Sequence, residues 1–490
     1  MLRKFRTVIA IVFFISLTLL FLDFTGAIHR YLGWMAKVQL LPALLALNVA
    51  VVALLLLLTF LFGRVYCSVI CPLGVMQDIF SWTGKHFKKN RYTYSPAKNK
   101  LRIVALIVFV ALTLIPGASA IAHLIAPYSA YGRIAANLFA PVYLWCNNLL
   151  AYFAERAESY TFYSVDVWLK SGISIAVAAA TLIGIGFLAW RNGRTWCNNI
   201  CPVGTALGFI AKYSLIKIHL DNEKCIKCGL CAKNCKSSCI DVKNGKIDYS
   251  RCVACYDCLD TCKKGALTYK LKPSCKKKEI ENTDASRRKF IATGAILTAG
   301  ITLKAQEKKM DGGLAAIQDK KIPTRSTALK PAGSLSIKHF SNHCTACQLC
   351  VSVCPNGVLR PSEKLDSLMQ PEMSYERGYC RPECVRCSEV CPTGAIRRIT
   401  TNEKSAVHIG YAVWIKENCL VTNDSISCGK CANVCPTGAI IMTPQNGDES
   451  TKIPCVNTER CIGCGACENM CPARPLSAIY VEGRETHIVD

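Results

Sequence analysis

CIKCGLCAKNC at Cys225–Cys235 and CVACYDCLDTC at Cys252–Cys262 are two copies of one cysteine run: Cys225, Cys228, Cys231, Cys235 and Cys252, Cys255, Cys258, Cys262. The run returns at Cys344, Cys347, Cys350, Cys354 and at Cys461, Cys464, Cys467, Cys471, where Pro355 and Pro472 follow. Three thiolates two residues apart let a tight loop wrap three irons of a cubane, and the fourth ligates the other cluster of a pair. A zinc ribbon would use paired C-x2-C knuckles and leave the third and fourth cysteines idle. Four full copies of the run argue against zinc and against a disulfide framework.

Two looser groups follow the same logic: Cys380, Cys384, Cys387, Cys391 and Cys419, Cys428, Cys431, Cys435, each closing on C-P-T-G-A-I. The C-terminal part thus offers ligands for four 4Fe-4S clusters, and Cys225–Cys262 for two. Lys236 and Lys263 stand where proline usually follows the fourth cysteine. Cys146, Cys239, Cys275 and Cys455 fall outside every group.

Before residue 220 the chain changes in kind. Val8–Phe24, Leu41–Phe62, Ile103–Ile125 and Ile173–Trp190 are apolar runs suited to a hydrocarbon core of about 30 Å. The loop from Gly63 to Arg102 holds eight Lys/Arg, against two in Asp23–Leu40 and three in Gly117–Gly172. By the positive-inside rule the N-terminus and the basic loop are cytoplasmic, and so is the ferredoxin at Cys225–Cys262. The net charge of +26 falls to about +14 once six oxidised cubanes are counted. The basic loops suit anionic lipid headgroups, and nothing else points to nucleic acid.

RVYCSVICPLG at Arg64–Gly74 and RTWCNNICPVG at Arg194–Gly204 match at Arg, aromatic, Cys, Ile, Cys, Pro and Gly. Each half is two spans followed by a C-x3-C-P turn. A pseudo-two-fold arrangement would gather Cys67, Cys71, Cys197 and Cys201 around a seventh cluster; the alternative is inert structural thiols at helix ends.

SRRKF at Ser286–Phe290, with Arg287 and Arg288, precedes a weakly apolar run at Ile291–Leu303. A twin arginine before such a run is an export signal for folded cargo, which suits a domain whose clusters are assembled before crossing. The expected architecture is multi-domain: an α-helical membrane domain at 1–219 with four spans and an internal two-fold repeat; a cytoplasmic two-cluster ferredoxin at 220–272; the signal or fifth span and a linker at 273–334; and a periplasmic four-cluster ferredoxin at 335–490. The ferredoxin parts are expected to be α+β.

On YCSVICPLG, WCNNICPVG and IAPYSAYGR (Ile125–Arg133), residues 1–270 resemble the NapH type of quinol-oxidising membrane ferredoxin associated with periplasmic nitrate reductase. On the twin arginine, KPAGSLSIKHFSNHC and the order of four motifs, residues 286–490 resemble the NapG/MauM type of exported ferredoxin. The chain looks like a fusion of the two. The resemblance implies a multi-pass protein of the bacterial inner membrane passing electrons from quinol to a periplasmic redox enzyme or cytochrome. Reverse flow, from a periplasmic dehydrogenase to quinone, and a maturation role for a periplasmic metalloenzyme are the other readings it permits. It implies that Cys225, Cys228, Cys231 join Cys262, and Cys252, Cys255, Cys258 join Cys235. In the C-terminal part it implies nested pairing: Cys344, Cys347, Cys350 with Cys471; Cys461, Cys464, Cys467 with Cys354; Cys380, Cys384, Cys387 with Cys435; and Cys419, Cys428, Cys431 with Cys391. His29 and His123, which follow the first and third spans, are the candidates for proton acceptance from quinol.

Overall fold

The computed structural model describes residues 1–87, 92–115, 117–159, 161–271, 320–424, 426–445 and 448–490. The twin arginine, its apolar run and Cys275 lie outside the described residues.

Leucine, isoleucine, valine and phenylalanine without polar interruption favour a helix that satisfies its own backbone. α1 spans Leu2–Leu22, a length of about 31 Å. α2 spans Val49–Phe62 and is capped by Asn48, whose side chain accepts from the Val51 amide at 3.2 Å. α3 follows at Pro72–Phe87 and α4 at Asn99–Leu114. α5 runs from Pro127 to Arg156 through a π turn at Ala135–Phe139. α6 spans Gly172–Asn192, with Ser171 accepting from the Ser174 amide at its N-terminus. Among the described residues α1, α5 and α6 are long and apolar enough to cross a membrane. Val8, Ile11, Val12, Leu54, Leu57, Ile107, Val108, Ile183 and Phe187 are exposed on these helices and their neighbours, an apolar belt that water would penalise and lipid would not.

Two expected spans differ from the structure. The run at 41–62 breaks between Leu45 and Val49, where Leu47 takes φ +52, leaving α2 only 14 residues long. The run at 103–125 ends with α4 at Leu114, before Gly117 at φ +81. The expected loop at 117–172 instead contains the 30 residues of α5. Both flanks of α5 stay at one end of the bundle, since Ser119 Oγ donates to the Ser341 carbonyl at 2.9 Å and Lys170 Nζ to that of Val351 at 2.6 Å.

Residues 216–271 form the first ferredoxin unit, in which strand Ile216–Leu220 pairs antiparallel with Leu267–Leu271. It binds the end of the bundle where α1 begins. Arg3 Nε lies 2.9 Å from Asp257, and Arg64 and Arg102 both donate to the Ser250 carbonyl at 3.2 Å. Residues 320–490 form the second unit around the antiparallel pair Val407–Trp414 and Ile479–Val489. Residues 320–334, read from sequence as linker, pack on this unit: Arg325 donates to both oxygens of buried Glu468 at 2.5 and 2.7 Å. This unit binds the opposite end, where Asn137 Nδ2 donates to Gln348 at 2.6 Å and Arg386 reaches the Phe24 carbonyl at 3.5 Å.

Candidate metal centres

The cysteine loops are short turns followed by one helical turn, and their tightness requires left-handed residues. Gly229, Gly465 and Tyr256 take φ +74, +79 and +62 immediately before the helical turns carrying Cys231, Cys467 and Cys258. In the first unit Cys225, Cys228, Cys231 and Cys262 line one cavity. Cys258 lies within electrostatic reach of Cys255, Cys252 and Cys235. Cys239, which the spacing left unplaced, sits beside that second set, its sulfur 3.5 Å from Cys235 Sγ.

In the second unit the nested pairing is corrected. Cys354 lines a cavity with Cys380, Cys384 and Cys387, and Cys471 lines another with Cys419, Cys428 and Cys431. Cys391 is within electrostatic reach of Cys344, Cys347 and Cys350, and Cys435 of Cys461 and Cys464. First pairs with second and third with fourth, because each fourth cysteine turns back onto the neighbouring loop. Among the described residues no three Cys, His, Asp or Glu side chains converge as ligands of a single ion do. Cavities with four cysteines on their walls suit a larger object, and a cubane bound by four thiolates is one.

The C-x3-C-P turns bring Cys67, Cys71, Cys197 and Cys201 together, all buried. The construction is parallel in the two halves. Gly63 and Gly193 end α2 and α6 at φ +78 and +67, and the Cys71 and Cys201 backbone amides donate to the carbonyls of Tyr66 and Trp196, each at 3.0 Å. Arg64 Nη2 donates to the Cys197 carbonyl at 3.1 Å, and Arg194 Nη1 to the Cys67 carbonyl at 2.6 Å. A side chain at Gly74 would meet the Cys67 carbonyl and Arg194, and one at Gly204 the Cys197 carbonyl and Arg64. Two buried guanidiniums, the Gln77 amide donating to Cys197 Sγ at 3.1 Å and the Gly204 amide donating to Cys201 Sγ at 3.3 Å make a donor-rich environment for thiolates.

This site meets the first ferredoxin directly. Arg194 N donates to the Lys236 carbonyl at 2.7 Å, next to Cys235. Burial opposes ionisation of Asp78, yet Arg194, Lys236 and Arg6 hold its carboxyl well below the usual carboxylate range. On the other side, Tyr66 is within electrostatic reach of Cys71, Cys67 and Cys201, and Tyr128 within that of Tyr66, Cys347 and Cys391.

His29 Nδ1 lies 3.1 Å from Asp23, and burial pushes its imidazole below the ordinary value. His123 is buried against Phe109, with neither ring nitrogen hydrogen-bonded. His29 is within electrostatic reach of Arg386 and Glu389, which flank Cys387. Cys146 and Cys455 are exposed.

Comparison with known proteins bears on these sites. A 4Fe-4S binding domain model matches residues 44–90 and 172–221, the stretches holding the two C-x3-C-P turns. A 4Fe-4S dicluster domain model matches 343–406 and 426–474, and another matches 248–358. The putative electron transport protein YccM of Escherichia coli is 26% identical over 203 residues, 40% of this chain and 48% of its own. The methylamine utilization ferredoxin-type protein MauM of Methylobacillus flagellatus is 32% identical over 119 residues, 24% and 50%. The ferredoxin-type protein NapH of Escherichia coli is 26% identical over 196 residues, 40% and 55%. The chain spans about half the length of each of these relatives. No solved structure matches it. On these findings it is a multi-domain protein with 4Fe-4S ferredoxin domains, similar to NapH, MauM and YccM.

Proposed function

We propose that this chain is a membrane-anchored polyferredoxin that transfers electrons from the quinol pool to a periplasmic redox enzyme, a nitrate-reductase-like system in the first instance. The observation that carries the reading is the docking of the two ferredoxin units at opposite ends of one apolar bundle, Arg3 to Asp257 at one and Asn137 to Gln348 at the other. Four crossings follow if α1 and α4 lead toward the second unit and α2 and α6 lead back, the flanks of α5 at Ser119 and Lys170 both lying on the second unit's side. The reciprocal bonds of Arg64 and Arg194 favour an internal two-fold repeat. The basic loop before α4 favours a cytoplasmic first unit, and the twin arginine favours a periplasmic second unit.

Clusters held by the four-cysteine sets supply reversible one-electron transfer. The protein's part is to hold them. Cys225, Cys228, Cys231, Cys262 and Cys235, Cys252, Cys255, Cys258 form two sets, the two cysteine-lined cavities and two further cysteine groups of the second unit make four more, and Cys67, Cys71, Cys197, Cys201 a seventh. Arg64, Arg194 and Lys236 offset thiolate charge where water is excluded. The likeness to MauM and MauN favours a second reading, electron flow from a periplasmic dehydrogenase to quinone.

Quinol oxidation by the anaerobically purified full chain, with an artificial acceptor, tests the first reading. A reporter fused after Asp490 is expected in the periplasm, and in the cytoplasm once Arg287 and Arg288 are changed to lysine. No quinol oxidation, or export without the twin arginine, would overturn the corresponding part.

A further inference from the structure

A cavity of about 610 Å³ opens between the helical bundle and the second ferredoxin unit. Its place is set by the apolar helices. Phe24 lies just past the end of α1 and Lys170 just before the start of α6, and both line it. It therefore sits where the apolar belt gives way to polar surface, and Leu144 of α5 is part of its lining. A molecule with an apolar tail and a polar ring reaches such a cavity without leaving the lipid.

The walls suit a flat ring. Phe24 and Tyr163 pack edge to face with centroids 5.9 Å apart, and the Arg377 guanidinium stands 5.2 Å above the Trp168 ring. Polar groups stand beside these surfaces, since Arg377 pairs with Asp166. A guanidinium is a donor for a ring carbonyl, and a carboxylate is an acceptor for a ring hydroxyl. Aromatic walls with a few placed polar groups are the usual make-up of a site for a small planar ligand. Cys354 also lines the cavity, and that thiol belongs to the set it forms with Cys380, Cys384 and Cys387.

We propose that this cavity binds the ring of a membrane quinone or quinol beside Tyr163 and the Trp168–Arg377 stack, with Arg377 and Asp166 as its polar contacts. The assignment rests on the quinol reading above and moves the site away from His29 and His123, neither of which lines the cavity. Placing the ring against Cys354 puts it beside the cysteine sets of the second unit rather than those of the first.

The test is binding of decylubiquinone to the purified, cluster-loaded full chain in lipid nanodiscs, followed by equilibrium dialysis and by tryptophan quenching. Trp168→Ala and Arg377→Gln are each expected to weaken binding about tenfold, the scale of a lost aromatic or charged contact. His29→Gln and His123→Gln are expected to bind as the wild type does. Asp166→Asn serves as the milder variant should Trp168→Ala lose iron. Wild-type binding in variants that keep their iron would overturn the cavity while leaving quinol as substrate. Binding lost in the histidine variants alone would move the site back to them. Absence of any decylubiquinone binding by the wild type would overturn the quinol reading itself, and tight binding of flavin mononucleotide at Trp168 in its place would assign the cavity to a different ring.

Discussion

Lys236 Nζ lies 3.0 Å from the carboxylate of Asp78, joining the first ferredoxin to α3 of the helical bundle. The same ammonium lies 3.1 Å from Asp257. The residue that replaces the usual proline after the fourth cysteine is thus a docking residue. Lys236→Met is expected to loosen this contact by about 2 kcal/mol, the scale of a charged hydrogen bond. The Arg194 amide, which donates to the Lys236 carbonyl, should exchange hydrogen about thirtyfold faster. Unchanged exchange would mean that Arg6 and Arg194 hold Asp78 well enough alone.

Cys67, Cys71, Cys197 and Cys201 are expected to act as one unit. Cys67→Ser and Cys197→Ser should each lower iron from about 28 to about 24 per chain, and combining them should lower it no further. Full iron in either single variant would reduce the turns to scaffolding.

Adjacent pairing in the second ferredoxin separates two otherwise similar variants. Cys391→Ser should alter the cluster spectrum that Cys344→Ser alters, and the double variant should resemble either one. Mössbauer spectra of iron-57-labelled protein distinguish this from nested pairing, in which Cys391→Ser would match Cys428→Ser instead.

Arg325→Met leaves Glu468 buried with a single backbone donor, the Val481 amide at 2.8 Å. Removing one partner of a buried ion pair costs about 3–5 kcal/mol, so the second unit should unfold at clearly lower denaturant. Glu468→Gln should cost less, because its amide removes the charge that needs a partner. A midpoint within error of wild type for Arg325→Met would show that the strap at 320–334 adds nothing.

The cysteine loops were legible because cluster ligation dictates their gaps, and the matching of Arg64 with Arg194 was legible because both halves carry the same residues at the same places. Pairing in the second unit was not, since a fourth cysteine's partner depends on how two loops fold back on each other. α5 was hidden because Gly132, Arg133, Asn137, Asn147 and Asn148 interrupt its apolar pattern, and three of these bond outward: Asn137 to Gln348, Asn147 to the Tyr163 carbonyl and Asn148 to that of Val165. The broken runs at 41–62 and 103–125 looked continuous because hydropathy does not register a single left-handed residue such as Leu47. Lys236 read as a small departure from pattern, and its meaning lay in Asp78, more than 150 positions earlier.

With hydrocarbon around α1, its two ends stand on opposite sides of the membrane voltage. An elementary charge moved through that voltage gains or loses about 2.3 kcal/mol per 100 mV. An electron exchanged between the Asp257 end and the Gln348 end feels the whole of it, outward passage being favoured in a cell whose interior is negative. An electron entering beside Cys354 feels almost none. The two routes therefore part under an imposed potential: in sealed vesicles, the rate of the first should rise and fall with voltage while the second stays flat.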